Sequence, residues 1–409
     1  MKKIFILSII GLLALLLGCQ PNPDEKEFMW NLTTLFDQVP DYWDVGLNYS
    51  SNVKAIQYRG QVYNEQDTSI FAYIGIPVSE MPEGGYPAII LVHGGLGRAY
   101  PDWVKMWTDR GYVAIAPDFD AQMSTPQTGV SMSVANPEGG PKGYGVNADN
   151  LIGVKESSWV YQSVSNIILA HNLINSIDVV NSDKVGITGI SWGSYLTSMA
   201  LGIDQRFSFA MPVYGAGYLD EDYGSILYSM YAGMSDDMIA VYRQYFDPSA
   251  YLKECVTPTF WMQGVKDYAF SPVLKQRAIN LITKADVYYA YYEQMTHGQE
   301  QGASPEELFV FANHIVNNEV NMITLTPLTI EESTMSISSK NGIGINSAYL
   351  FWTQSTDYEI HLASWYRSEV IIDGNMIIAT LPEGATFAFI EIVDTFGNKV
   401  SSEFYEILS

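Results

Sequence analysis

From residue 86 onward, apolar runs of strand length alternate with segments of helical period, and this alternation constrains the fold more than any other feature. Residues 86–92, Tyr-Pro-Ala-Ile-Ile-Leu-Val, follow the turn Pro82-Glu83-Gly84-Gly85 and contain no polar residue inside the run. A strand exposing one face to water would alternate polar with apolar, so a run of this kind must be covered on both faces. Residues 112–117 and 184–189 are runs of the same type, and 207–214, 257–262 and 285–294 read as three further strands. Between them, 101–111 (Pro near the start, Gly at the stop), 157–177, 195–201 and 305–317 read as helices. Strands interleaved with helices predict an α/β chain with a mostly parallel sheet covered by helices on both faces. Two β-rich runs, 55–63 and 68–77, joined by the turn signal Asn64-Glu65-Gln66-Asp67, lead into it.

Near residue 325 the texture changes. Short β-type runs at 348–353, 369–372, 376–380, 386–393 and 401–407 follow one another without helical period, with turn signals at Asp373-Gly374 and Phe396-Gly397-Asn398. These predict a small all-β, sandwich-like C-terminal domain over 323–409, consistent with 409 residues being more than one ordinary domain. The formal charge of −24 opposes any phosphate backbone, so nucleic acid is excluded as a partner. The N-terminus carries Lys2 and Lys3, about 14 apolar residues, then Leu16-Leu17-Gly18-Cys19. The run is short of the ~20 residues a span requires and reads as a signal peptide over 1–18. Its ending resembles a bacterial lipobox, which implies a lipidated Cys19, anchoring in the cell envelope, and a tether and lead-in over 19–50. Cys255, then left alone beside an apolar run, reads as a buried inert thiol.

Gly189-Ile190-Ser191-Trp192-Gly193 matches G-x-S-x-G. The pattern alone is weak, with about 0.2 chance matches expected in a chain of this length and composition. Its position between a predicted strand and a predicted helix makes it strong, because there the Ser must sit on a tight turn that only small neighbours permit. A nucleophilic Ser requires a base. His171 and His314 lie within helices, His361 in the β region, and His93, in His93-Gly94-Gly95 after a strand, reads as shaping its loop. His297 follows the last strand and is the expected base. Asp267, after the strand 257–262, is the expected acid that holds its tautomer, with Asp220, Glu221 and Asp222 as rivals. The oxyanion donors are expected to be the backbone N–H groups of Trp192 and Gly95.

Trp159-Val160-Tyr161, the 186–193 stretch, Val213-Tyr214-Gly215, Phe246-Asp247-Pro248-Ser249 and Trp261-Met262-Gln263-Gly264 up to Asp267 together resemble α/β-hydrolases of the acetylxylan esterase, dienelactone hydrolase and prolyl-oligopeptidase-like group. The resemblance covers roughly 55–320 and implies an α/β-hydrolase catalytic domain over 51–322. It also implies triad roles for Ser191, Asp267 and His297, in the order nucleophile–acid–base. Ser194 departs from it, since relatives commonly carry Gly there. Too little chain precedes the first sheet strand for a gating propeller, which turns the expectation toward a small-acyl ester, most of all an acetylated carbohydrate. A propeller-less serine peptidase is the alternative, and a non-catalytic binding protein on this scaffold a third reading. The insert 217–251 carries Tyr218, Tyr223, Tyr228, Tyr231, Tyr242, Tyr245 and Tyr251, which could stack on sugar rings or simply pack helices. No cluster has metal-ligand spacing, no cofactor is expected, and nothing in the sequence fixes an oligomeric state.

Overall fold

The computed structural model describes residues 29–356 and 359–407. Nine strands form one sheet: β1 (Tyr42–Asn48), β2 (Val53–Arg59), β3 (Ser69–Gly75), β4 (Tyr86–Val92), β5 (Val113–Pro117), β6 (Val180–Ile190), β7 (Phe209–Val213), β8 (Thr259–Gly264) and β9 (Val287–Tyr292). Their order is β1-β2-β3-β5-β4-β6-β7-β8-β9. The first three strands and β5 pair antiparallel, and every pair from β5-β4 to β8-β9 is parallel. The apolar runs occupy the centre because both their faces are covered. Ala88, Ile90 and Val92 of β4 pack beneath the helices α2 (Trp159–Asn175) and α3 (Trp192–Ile203). Ile89 and Leu91 face α1 (Pro101–Thr108) and, further along the same face, α5 (Glu306–Val316). This is the α/β class expected from the sequence.

Three elements near the site's framework carried no sequence signal. The expected lead-in contains a short helix, Leu32–Asp37, and the edge strand β1. An edge strand with half-exposed residues has no continuous apolar run by which to recognise it. Trp30 fixes the segment, stacking 5.5 Å from Tyr161 and donating through Nε1 to the Tyr161 carbonyl at 3.1 Å. Helix α4 (Pro272–Ile279) has no apolar stripe in the sequence, because Lys275, Gln276 and Arg277 read as surface, yet Lys275 and Gln276 are buried. Lys275 donates to the Met262 carbonyl and its Nζ lies over the Trp261 ring.

Among its described residues the C-terminal unit has nine strands: β10 (Thr329–Glu331), β11 (Thr334–Ser338), β12 (Ile345–Thr353), β13 (Tyr366–Glu369), β14 (Ile371–Asp373), β15 (Met376–Thr380), β16 (Phe387–Asp394), β17 (Lys399–Ser401) and β18 (Tyr405–Glu406). They form two antiparallel sheets, β10-β11-β15-β14 and β13-β12-β16-β17, with β18 also on β16. Ile337, Ile377 and Ala379 of the first and Leu350, Ile390 and Ile392 of the second belong to one core. The second sheet covers the end of the main sheet at β9. Tyr291 packs with Phe351, Phe389 and Phe404, and its N–H donates to Ser401 Oγ at 3.1 Å. Gln276 Oε1 accepts both the Tyr291 hydroxyl and the Phe404 N–H at 2.9 Å.

No helix among the described residues is long and apolar enough to cross a membrane. The signal peptide and Cys19 fall outside the described residues. Cys255 is buried, and burial pushes its thiol up to about 11.

The aromatic seam should carry much of the C-terminal unit's stability. Phe389→Ala, at a fully buried ring touching Tyr291, Phe351 and Phe404, should cost about 3–5 kcal/mol. Urea titration followed by near-ultraviolet circular dichroism reads this as a lower unfolding midpoint, and an unchanged midpoint would show that the seam is not load-carrying.

Candidate active site

Strand β6 ends at Ile190 and helix α3 begins at Trp192, so the whole reversal falls on Ser191, with φ 59° and ψ −121°. A non-Gly residue there is strained and persists only where its surroundings leave no alternative. Those surroundings are nearly all backbone. A Cβ on Gly193 would lie 2.0 Å from the Val92 carbonyl oxygen, and one on Gly189 would lie 2.2 Å from that of Gly193. On the other side, a Cβ on Gly215 would approach the Ser191 carbonyl oxygen to 2.4 Å. The Ser191 N–H donates to the Val213 carbonyl at 3.0 Å. Ser194, the departure from the resemblance, fits without crowding: its hydroxyl donates to the Gly215 carbonyl at 2.7 Å and ties the helix to the strand-β7 loop.

The parallel strands deliver three sequence-predicted residues to one edge of the sheet. His297 Nε2 lies 2.9 Å from Ser191 Oγ, and His297 Nδ1 lies 2.7 Å from Asp267 Oδ2. An ionised carboxylate only accepts, so Nδ1 carries the proton, and the bare Nε2 accepts from the Ser191 hydroxyl. Asp267 is held by the N–H groups of Ala269 and Phe270, both donating to Oδ1 at 2.8 and 3.0 Å. The rival acids are committed elsewhere. Asp220 pairs with Arg243 at 2.6 Å, and Glu221 bridges Arg243 at 3.0 Å and Arg277 at 2.5 Å. Asp222 accepts the Ser271 N–H at 2.9 Å, which anchors the loop that carries Asp267. Ser225, which donates to the Ala269 carbonyl at 2.5 Å, pins the same loop.

The other histidines are occupied. His93 Nε2 accepts the Phe119 N–H at 2.9 Å, and burial lowers the ring to about 4, so it stays neutral and shapes the loop after β4. His171 is buried against Asp204 at 2.8 Å, and His314 is bonded to the Glu319 carbonyl oxygen. His361 lies in a short turn of helix in the C-terminal unit. The loop shaped by His93 brings Gly95 against Trp192, where a Cβ would come within 2.6 Å of the indole. The two residues expected to supply oxyanion donors are thereby in contact. Among the described residues no group of three or more His, Cys, Asp or Glu could hold a metal ion.

Sequence reasoning gave no role to Tyr214. It stands at the end of β7 with φ 68°, its ring 4.6 Å from the His297 ring, and its hydroxyl donates to the Thr296 carbonyl at 2.9 Å. With Phe270 and Tyr268 it encloses the imidazole. The available signal was its place directly after a strand next to Gly215, but a tyrosine after a buried strand reads as core. Of the seven tyrosines in the insert, Tyr231, Tyr242 and Tyr251 are buried, Tyr218 and Tyr245 lie under Arg277 and Lys155, and Tyr223 is well exposed. Helix packing thus accounts for three of them.

The sequence pattern of the prolyl oligopeptidase family matches residues 117–310. No curated protein sequence matches the chain. Among solved structures, the acetyl xylan esterase from Paenibacillus sp. R4 superposes with a TM-score of 0.56 at 21% identity, covering 70% of this chain and 92% of that one. Acetyl xylan esterase 1 from Thermoanaerobacterium sp. JW/SL YS485 gives 0.54 at 15% identity, with the same coverage. The acylaminoacyl peptidase of Pyrococcus horikoshii gives 0.46 at 18%, covering 62% of this chain and 39% of that one. The likenesses to the two esterases establish the fold.

Burial lifts the Asp222 carboxyl to about 7. Between about pH 4 and 7 the folded chain therefore holds a proton that the unfolded chain has released, and this group's contribution to stability falls as pH rises through that window. Asp222→Asn keeps an acceptor for Ser271 and cannot ionise. Urea midpoints at pH 5 and pH 7.5 should show the parent losing on the order of 1 kcal/mol more than the variant; equal losses would mean that Asp222 is ionised throughout.

Proposed function

The chain is an α/β-hydrolase by fold, and from that premise we propose that it is a serine esterase that removes short acyl groups, acetyl above all, from carbohydrate. The reading rests on His297 standing between Ser191 Oγ and Asp267 Oδ2, with Ser191 at a positive-φ junction of strand and helix. In this reading Ser191 Oγ attacks the ester carbonyl while His297 Nε2 takes its proton. The negative charge on the carbonyl oxygen is assigned to the backbone N–H groups of Trp192 and Gly95, donors that a helix start and a loop glycine can supply without a side chain in the way. Collapse breaks the bond to the alcohol, which leaves with the proton from His297. Water, deprotonated by the same Nε2, then attacks the acyl-enzyme and returns Ser191 with a free acid. Asp267 keeps the imidazole in the required tautomer and balances its transient positive charge, and Tyr214 holds the ring from its face.

The acyl preference is supported by the likeness in fold to two acetyl xylan esterases, each covered over 92% of its length. A peptidase is the second reading, favoured by the match of residues 117–310 to the prolyl oligopeptidase family pattern. Steady-state turnover of p-nitrophenyl acetate, acetylated xylo-oligosaccharides and aminoacyl arylamides discriminates the two, and arylamide cleavage without ester cleavage would overturn the esterase. Lipidation at Cys19 would hold the enzyme at a membrane. Labelled palmitate should enter the parent chain and not Cys19→Ala, and equal labelling of both refutes the anchor.

Ser191→Ala should lower esterase kcat by several orders of magnitude with the fold intact. Asp267→Asn should lower it on the order of 10⁴-fold, whereas Asp220→Asn should leave it within a few-fold. The reverse pattern of losses would move the acid role to Asp220.

A further inference from the structure

We propose that the groove where the C-terminal β unit meets the loop carrying His297 is a binding subsite for a neutral sugar chain. The proposal rests on the esterase reading above and adds to it the part of the substrate remote from the ester. The groove is a cavity of about 420 Å³ bounded by Tyr292 and Met295 from the end of β9 and by Phe351, Arg367, Glu391 and Lys399 from the C-terminal unit. Met295 stands two residues before His297 in the chain, so the groove opens at the carboxyl edge of the sheet, on the side where the ester must be presented.

The lining selects the ligand class. A sugar hydroxyl both donates and accepts, so a sugar chain requires donors and acceptors side by side, with an apolar surface for the C–H face of each ring. Arg367 and Lys399 donate, Glu391 and Glu293 accept, Gln294 and Gln301 do both, and the half-buried Tyr292 and Met295 supply apolar surface. An ionic ligand would require one sign of charge, whereas here Lys399 lies 3.7 Å from Glu391 and Lys266 2.8 Å from Glu293. A lipid chain would require none. The donors are also placed in advance. The Arg367 guanidinium lies 4.2 Å over the Tyr349 ring, and Lys399 Nζ lies 5.8 Å over Tyr292. Side chains already held in this way lose little further freedom when a ligand arrives.

Other sites fit less well. The tryptophans of the C-terminal unit are committed to packing: Trp365 lies against Phe389 and Phe404, and Trp352 Nε1 is bonded to Ser368 while its ring packs on Tyr366. A larger cavity of about 490 Å³ is lined by Asp286, Val287 and Tyr288 at the opposite, amino end of β9, away from Ser191.

The test compares substrates that do and do not reach the groove. Arg367→Ala combined with Lys399→Ala should leave kcat and KM for p-nitrophenyl acetate within twofold of the parent. For acetylated xylo-oligosaccharides of one to six sugars, the parent KM should fall with length. In the double variant that fall should vanish, leaving the KM for the hexasaccharide about tenfold above the parent's at unchanged kcat. Titration calorimetry with unacetylated xylohexaose, cellohexaose and mannohexaose reads the site without any reaction, and the double variant should weaken whichever binds by about tenfold. Ester cleavage with an unaltered length dependence in the variant, or no binding of any of the three, overturns the groove and leaves the esterase standing. Hexasaccharide binding that the variant abolishes, in a chain that cleaves no ester, retains the groove and removes the esterase.

Discussion

The rest of the site depends on the close crossing of backbones around Ser191. The strand-to-helix reversal holds a serine at positive φ, which costs on the order of 1–3 kcal/mol and is sustained by contacts that leave no room for a side chain. Gly193 meets the β4 carbonyls, Gly189 meets Gly193, and Gly215 meets Ser191 itself. That proximity is what places the loop after β4, the loop after β7 and the start of α3 around one hydroxyl. It follows that Gly95 lies against the Trp192 indole and that the ring of Tyr214 reaches His297. A larger residue at any of the three glycines would separate elements whose separation is the site.

Two structures outside the sheet then decide where the other two residues stand. The insert between β7 and β8 grips the acid loop through Asp222 to the Ser271 N–H and Ser225 to the Ala269 carbonyl. Arg243 and Arg277 gather Asp220 and Glu221 away from it. Four carboxylates crowd this region, and the paired arginines leave Asp267 as the one aimed at an imidazole. On the other side the C-terminal β unit packs on β9, which would otherwise end the sheet as an open edge prone to pairing with other chains. Tyr291 and Gln276 join the two parts by hydrogen bonds as well as by rings. The strand that delivers His297 is thus buttressed by a unit that contributes no residue to the Ser-His-Asp arrangement.

The sheet was legible where its strands are covered on both faces, because burial on two sides writes a continuous apolar run such as 86–92. It was not legible at β1, whose residues alternate between half-buried and exposed, nor at α4, whose Lys275 and Gln276 look like surface and are buried by the C-terminal unit and Trp261. Among the candidate bases, local context already set His297 apart from His171 and His314. His93 was likewise read as shaping its loop from its place in His93-Gly94-Gly95, and what holds it there is a hydrogen bond from the Phe119 N–H, 26 positions away, a partner that no local pattern names.

By itself the sequence determined which residue types could carry the chemistry and on which elements they sit, because strand, turn and helix are local consequences of apolar period and of glycine spacing. It also determined a strongly acidic surface, since formal charge is a sum over residues and needs no coordinates. The tertiary structure alone decided which acid meets His297, that Tyr214 encloses its ring, and that the C-terminal unit shares a groove with the loop before it. Each of these is a contact between segments tens to a hundred residues apart. Such contacts are set by how sheets and helices pack once the chain has closed on itself, and packing is a property of the whole surface rather than of any window of residues.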